Sequence, residues 1–379
     1  MEALSGPQGT LSGASSESGT IRIITNVPDP AGFEAGYTVE GNSVDHGGLG
    51  YKVHGFINQP ITDNIALRVV AWDEHDAGYI DNVHGTRTYT FDNASPPIVP
   101  VPPPITIDNA LRVKNNYNTV DKLGGRAALK IDLNDNWSIT PMIMAQTENT
   151  DGIFGYDPSV GDLKVQHYLP EYVHDKWYQA GLTIQGKIGN LDVTYAGGYM
   201  DRRVKSAADY TDYTFWYDQY NSYYVYFQDN AGKQIDPSQF IFGKDHWTKW
   251  SNELRIASPK EGRFRWVAGL FQERQTHDII QDYLINGLAT SSSVTGWPNT
   301  LWLTDELRVD RDYAAFGEAS YDILPNLTLT GGIRFFKADN SLQGFFGFHS
   351  YEADISAGGR CFAPTTVNNG PCTDLDARV

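Results

Sequence analysis

Asp73-Glu74-His75-Asp76 gathers three carboxylates and an imidazole in four consecutive positions, the residue types that hold a hard cation. Consecutive side chains of an extended chain point to opposite faces, so the four cannot converge, and the segment reads as a solvated loop start at the mouth of a hairpin. His277-Asp278 with Asp282 fails in the same way. Gly6-Pro7-Gln8-Gly9-Thr10-Leu11-Ser12-Gly13 has the glycines of a phosphate-cradling loop but lacks the lysine and the following apolar helix, which leaves turn chemistry. Gly13-Ala14-Ser15-Ser16-Glu17 departs from a nucleophile elbow at its last position. No Ser/His/Asp set or glycosidase-type carboxylate pair stands out. The expectation is therefore a non-enzyme with no catalytic residue, no metal site and no cofactor. One segment is denser than packing requires. Between Tyr210 and Phe227 lie Tyr213, Phe215, Trp216, Tyr217, Tyr220, Tyr223, Tyr224 and Tyr226. Flat amphipathic rings stack on sugars or aromatic ligands at low entropic cost. Tyr213, Trp216, Tyr217, Tyr220, Tyr223 and Tyr224 are the candidate ligand contacts; the bland alternative is an aromatic girdle with a loop folded on itself.

The elements that position these residues are strands. In Leu191–Tyr199, Leu191, Val193, Tyr195 and Tyr199 face one way and Asp192, Thr194 and Ala196 the other; Ala127–Leu133 and Leu327–Phe335 alternate similarly. A period of two gives each strand one apolar and one polar face. The alternation comes in pairs. Tyr51–Asn58 turns at 60–64 into Ile65–Trp72, Arg126–Leu133 at 134–136 into Trp137–Ala145, and Gln179–Ile188 at Gly189-Asn190 into Leu191–Tyr199. Lys249–Ala257 turns at 259–262 into Phe264–Phe271, and Tyr313–Asp322 at 324–326 into Leu327–Phe336. The Asn, Asp, Gly and Pro at these points are what tight turns require. A first strand near Tyr37 brings the count to about eleven. Between the pairs run long polar segments: 73–125 (with the polyproline-like Ser95–Pro104), 146–178, 200–248, 272–312, and 337 to the end. Loops this long are uncommon in compact soluble domains. Strands of ~9–11 residues with short turns on one side and long loops on the other describe an antiparallel transmembrane β-barrel.

Composition agrees. The 379 residues are 40% hydrophobic and 13% aromatic, as expected of a barrel with a polar lumen and aromatic girdles. A net charge of −17 without a basic stripe excludes a nucleic-acid partner. No run of eighteen apolar residues offers a membrane helix, a test that a barrel does not have to meet. Cys361 and Cys372, eleven apart in a Gly/Pro/Asn-rich loop with no His cluster nearby, are expected to form a loop disulfide, which implies an oxidising compartment. Met1-Glu2-Ala3 does not begin a signal peptide, and the chain stops in a loop; the sequence reads as cut at both ends.

Residues 1–30 differ from the rest: a glycine-punctuated stretch runs into the short strand Thr20–Thr25 and is broken by Pro28 and Pro30. Gly6-Pro-Gln-Gly-Thr10-Leu11, Gly13-Ala14-Ser15-Ser16, Ser18-Gly19-Thr20-Ile21, then Thr25-Asn26 and Pro28 resemble the end of the plug domain of TonB-dependent outer-membrane receptors. Ser251-Asn-Glu-Leu-Arg-Ile256 with Trp266–Leu270, and Ala315-Phe-Gly-Glu318 with Leu329–Arg334, also look like that family's barrel hairpins. The family usually carries a basic residue where this chain has Ser5. The resemblance implies the tail of a plug and linker at 1–30 and, at 31–379, about half of a barrel of 22 strands with long extracellular loops. It further implies the outer membrane of a Gram-negative bacterium, contact with outer-membrane lipid, and a TonB-type inner-membrane energy-coupling protein engaged through a segment absent here. The expected ligand is a small molecule or glycan of siderophore, cobalamin or glycan type, taken up with TonB-derived energy. The alternatives are a passive porin-like channel, which the plug-like start disfavours, and a secreted all-β glycan-binding protein, which would have loops of similar length at both ends.

Overall fold

The computed structural model describes residues 2–13, 16, 18–348 and 376–377. Near the N-terminus β1 (Glu2–Ser5) and β2 (Gly19–Arg22) pair around a single helical turn, α1 (Gly9–Ser12). The chain then runs through β3 (Glu34–Ser43), β4 (Leu49–Thr62) and β5 (Ile65–Asp76), and through the short β6 (Asp81–Asn82), β7 (Thr86–Tyr89) and β8 (Ile105–Asp108). There follow β9 (Val120–Asn134), β10 (Trp137–Asp151), the short β11 (Lys164–Val165), β12 (Tyr172–Ile188) and β13 (Leu191–Asp209). A helix, α2 (Thr211–Asn221), precedes β14 (Gln239–Ala257), β15 (Phe264–Ile285), β16 (Thr300–Leu324) and β17 (Leu327–Phe348); β18 is the pair Asp376–Ala377.

The long strands form one meander in the order β3-β4-β5-β9-β10-β12-β13-β14-β15-β16-β17, each antiparallel to its neighbours, with β18 against Leu342 and Gln343. This is the expected eleven-stranded all-β sheet. The short connections fall where turn chemistry put them: Gly189 takes φ 62° in the β12–β13 turn, and the Asn134 side chain accepts from the Asn136 amide (2.9 Å) in the β9–β10 turn. The loop ends needed correction. β15 runs to Ile285 and β16 starts at Thr300, so most of 272–312 is strand rather than loop; β12, β13 and β14 extend likewise into segments read as loop. Outside the hydrocarbon both faces of a strand meet water, so the alternation that marks a strand is lost there while the ladder continues.

The N-terminal segment marks the inner face. Arg255 donates to the carbonyl of Leu11 (3.4 Å), Arg334 to Thr10 (3.3 Å) and Arg126 to Asn26 (3.2 Å), while the Asn58 amide donates to the carbonyls of Asp29 (2.8 Å) and Gly32 (2.9 Å). Residues directly opposite in a ladder share a face. The register therefore places Lys130, Asp132, Gln185, Lys187, Asp192, Glu253 and Glu318 inside with these residues. Leu129, Ile131, Ile184, Val193, Tyr195, Leu254, Ile256 and Leu329 fall outside.

Among the described residues no buried apolar cluster lies against the middle of the sheet. The buried apolar clusters among the described residues (Val294/Leu303/Phe345, Ile80/Tyr117/Val165 and Tyr89/Phe91/Val225) all sit at the loop end. The outer aliphatic face stays bare: Leu254 is 40% exposed, Leu270 60% and Leu329 65%. A continuous apolar face of this extent belongs against another apolar phase. Aromatic rings bound it. Trp137, Phe264, Trp266 and Tyr321 lie near the turns, and Tyr178, Tyr199 and Trp250 lie higher, with centroids 5.9 and 4.8 Å apart. Trp250 pairs with Arg274 on β15, ten residues above Phe264. Ten residues are about 33 Å of strand, or about 25 Å of height at a tilt of ~40°, the thickness of an outer-membrane apolar band.

Candidate functional site

Two features stand above the N-terminal segment. The first is a belt of rings and cations across the inner wall, at one register row: His54, Trp72, Gly124, Gln146, Trp177, Arg202, Trp247, His277 and Arg308. Each lies on the inner face by the alternation that places Arg126 and Arg255 there. Trp72 lies across Gly124, where any β-carbon would meet its indole at 2.3 Å, and its Nε1 donates to Gln146 (3.1 Å). Arg202 is held by Asp175 through two nitrogens (2.5 and 2.9 Å) and sits 5.4 Å over the Trp247 ring. Trp247 stacks on His277 at 4.1 Å, and His277 is anchored by Asp245 at 2.7 Å. The acids thus orient the cations and leave indole faces and guanidinium edges toward the interior. Such a surface holds a flat or anionic solute through stacking and charge-assisted hydrogen bonds.

The second is a canopy of interlocked loops. Asp218 of α2, with no solvent exposure, accepts from the backbone amides of Thr90 (2.9 Å) and Phe91 (3.1 Å). The Ser222 amide donates to the Asn93 carbonyl (3.1 Å) and the Asn93 amide to the Ser222 hydroxyl (3.2 Å), and Ser95 pairs with the Asn221 side chain. Arg87 bridges to Asp212 (2.5 Å) with its guanidinium 4.9 Å over Phe215. The loop 152–171 joins through Asn82 and Asn109, both donating to the carbonyl of His167, and through the amide of Tyr168 on Asp209. Ala289 donates to Gln228 (2.8 Å), which ties in the loop after β15.

This locking explains what became of the aromatic run. It was expected as a loop, and Thr211–Asn221 is a helix. Its buried side is polar (Thr211, Thr214, Asp218): Asp218 serves the loop backbone at Thr90 and Phe91, and the Thr214 hydroxyl bonds to the carbonyl of Thr211 and to the Tyr89 hydroxyl. Tyr213, Trp216, Tyr217 and Tyr220, spaced three and four apart, share the other side. Trp216 stacks on Tyr220 (5.2 Å, 2° between planes), Tyr217 is T-shaped to Tyr213 and to Tyr224, and Tyr223 adjoins Tyr224. Trp216, Tyr220, Tyr223 and Tyr224 are more than half exposed. Phe215 and Phe227 pack instead against Tyr89 and Val225. Burial and the Tyr217 hydroxyl raise the Tyr213 phenol above its ordinary value, so this hydroxyl is neutral across physiological pH. All six candidate residues come together in one surface cluster.

The other sequence candidates separate. Glu74 and Asp76 turn inward to Lys52 and Lys122, while His75 turns outward to Asp121 (2.6 Å) and Tyr51. Among the described residues no group of three or more potential metal ligands assembles. Cys361 and Cys372 lie outside the described residues. The belt was missed by sequence reasoning, which reads Trp177 and Trp247 as loop residues; only Trp72 stood on the polar face of a strand legible in the sequence.

The architecture is the wall of an outer-membrane-type barrel: an up-and-down meander, short turns at one end, large folded loops at the other, and an N-terminal segment on the inside. No protein-family model matches the chain, and no curated protein matches it. Solved structures do. The ferric yersiniabactin uptake receptor FyuA from Yersinia pestis superposes with a TM-score of 0.65 at 14% identity, over 91% of this chain and 45% of that one. The open form of the ferric-catecholate import receptor Fiu from E. coli K12 gives 0.60 at 13%, over 99% and 54%. The ferric citrate transporter FecA gives 0.57 at 11%, over 84% and 39%. The chain thus has the fold of a TonB-dependent outer-membrane receptor and spans about half the length of the receptors it matches.

Proposed function

We propose that this chain forms part of an outer-membrane receptor that captures a scarce solute and passes it inward with energy supplied from the inner membrane. The N-terminal segment seated on the inner wall by Arg255, Arg334, Arg126 and Asn58 carries the reading. A wide barrel filled from the turn side does not leak, and a filled barrel must be opened by work done on the filler. Residues 1–30 are the end of that plug and 31–379 the wall. The solute is met first by the aromatic face of α2 and then by the belt of Trp72, Trp177, Arg202 and Trp247. The matched structures are uptake receptors and a transporter for iron complexes, which supports a ferric chelate ahead of cobalamin or a glycan. The test is uptake of ferric chelates, cyanocobalamin and oligosaccharides by cells that carry the gene, with and without a protonophore. Concentrative uptake abolished by the protonophore is expected; uptake that only follows the gradient and ignores the protonophore would establish a passive channel instead.

A further inference from the structure

Most cations on the inner wall are answered by an acid beside them. Lys52 and Lys122 share Glu74 (2.7 and 3.3 Å), Lys130 has Asp132 (3.0 Å), Arg255 has Glu253, and Arg68 has Glu34 (3.2 Å). Arg334 has no acid but lies over the rings of Phe271 and Phe316. Arg126 has neither an acid nor a ring among the described residues. It is only 9% exposed, and its Nε–H is buried without an acceptor. Its one hydrogen bond runs from Nη1 to the carbonyl of Asn26 (3.2 Å). A second cation stands close by. Arg68 is opposite Ala128, one inner position along β9 from Arg126, and such diagonal neighbours have α-carbons roughly 7–8 Å apart.

A buried guanidinium without a counter-charge is unfavourable, and the group that relieves it best is an oxyanion, which takes two of its N–H groups side by side. A single neutral carbonyl is a weaker partner. That carbonyl belongs to the segment 26–32, which is held to the wall by Arg126 and by Asn58 and in which Val27 is 55% exposed. One inner position above Arg126 on the same strand is Gly124, in the belt. We propose that Arg126, with Arg68 beside it, is an oxyanion site covered by the segment 26–32, and that a carboxylate or phosphate group in it displaces the Asn26 carbonyl and unseats that segment. Anion and seated segment then compete for one guanidinium, so each weakens the other by the same factor. A solute whose anionic group reaches Arg126 from the belt loosens the end of the filler before any work is done on it. The inference rests on the reading of residues 1–30 as that filler.

The test is the mobility of a nitroxide attached at Val27→Cys, with Cys361 and Cys372 changed to serine, in detergent-solubilised protein titrated with inorganic phosphate, citrate and ferric citrate. Potassium chloride at equal ionic strength is the blank. The oxyanions are expected to raise the mobile fraction and chloride to leave it unchanged. A response to inorganic phosphate identifies a free oxyanion as occupant; a response confined to ferric citrate and lost in Arg202→Gln identifies the solute's own carboxylate, delivered from the belt. Arg126→Met is expected to be mobile from the start, to ignore every anion, and to melt no lower than the parent protein, because it removes an uncompensated buried charge. Arg126→Lys keeps the charge without the planar fork and is expected to need about tenfold more anion. A label that no anion mobilises, or the same response in Arg126→Met, overturns the site. The response is read in purified protein without energised uptake, so uptake that proves passive removes the transport reading and leaves this site standing.

Discussion

Asp218→Ala takes the acceptor from two backbone donors at once, the half-buried amide of Thr90 at 2.9 Å and the buried amide of Phe91 at 3.1 Å. Hydrogen bonds to a charged acceptor contribute about 1.5–3 kcal/mol each, so the gross loss is about 3–6 kcal/mol. Part of this is recovered. Phe91 sits at φ 56°, a left-handed conformation that costs a bulky residue about 1–2 kcal/mol and that relaxes once the clamp is gone. The net effect is about 2–4 kcal/mol against docking of the loop around 86–95 onto α2, while the long strands keep every ladder bond. Hydrogen exchange read at Thr90 and Phe91 is then expected to lose protection by about thirtyfold to a thousandfold, with the centres of β13 and β14 unchanged. Asp218→Asn retains one acceptor oxygen and is expected to lose roughly half as much on the free-energy scale. Unchanged protection of Phe91 in Asp218→Ala would refute the claim that this carboxylate latches the canopy.

Three further outcomes are expected. Trp247→Ala removes the ring between Arg202 and His277, and solute binding, followed by fluorescence or calorimetry, is expected to weaken about tenfold with the fold intact. Arg255→Ala/Arg334→Ala deletes the two donors to the carbonyls of Leu11 and Thr10, and a cysteine placed at Gly9 should then label faster with a water-soluble maleimide. The third is a pH effect at His167. Burial draws this imidazole toward neutrality, but its 2.7 Å bond to Glu171 and the charges of Glu171, Asp209 and Asp212 outweigh burial and hold it above its ordinary value. A raised value in the folded protein means the contribution is complete below the unfolded histidine value of about 6.5 and disappears as pH rises through the folded one. Proteolytic nicking of 152–171 is therefore expected to increase from pH 5.5 to pH 9, and His167→Gln to flatten that dependence.

The sequence was most legible where chemistry is local. Gly189-Asn190 and Asn134-Asp135-Asn136 announce tight turns because few residues take those conformations, and Leu191–Tyr199 announces a strand because one face meets an apolar phase. The far halves of the strands were illegible for the complementary reason. Gln272-Glu273-Arg274-Gln275-Thr276-His277-Asp278 is all polar, yet it is strand, held by a ladder that does not depend on side-chain type. In α2 the usual relation is inverted: Asp218 is buried to serve the loop backbone and Trp216 is exposed, so a hydrophobic pattern gives no warning of the helix. Seating of the N-terminal segment uses the carbonyls of Thr10, Leu11 and Asn26, which no residue type encodes. Trp177 and Trp247 fall in segments that read as loop; their alignment with Trp72 needed the register of six strands.

Which face of the wall meets lipid fixes the roles of both its surfaces, and site-specific quenching decides it. Single cysteines at Leu129, Ile184, Leu254 and Leu329, and at Lys130, Gln185, Glu253 and Glu318, would carry an environment-sensitive dye in protein inserted into vesicles. Brominated lipid is expected to quench the first four and spare the others, while iodide reaches the second set once residues 9–13 are displaced. Quenching of Lys130 and Glu253 by brominated lipid with Leu129 and Leu254 spared, or access of iodide to both sets alike, would contradict a membrane-spanning wall with its charges inside.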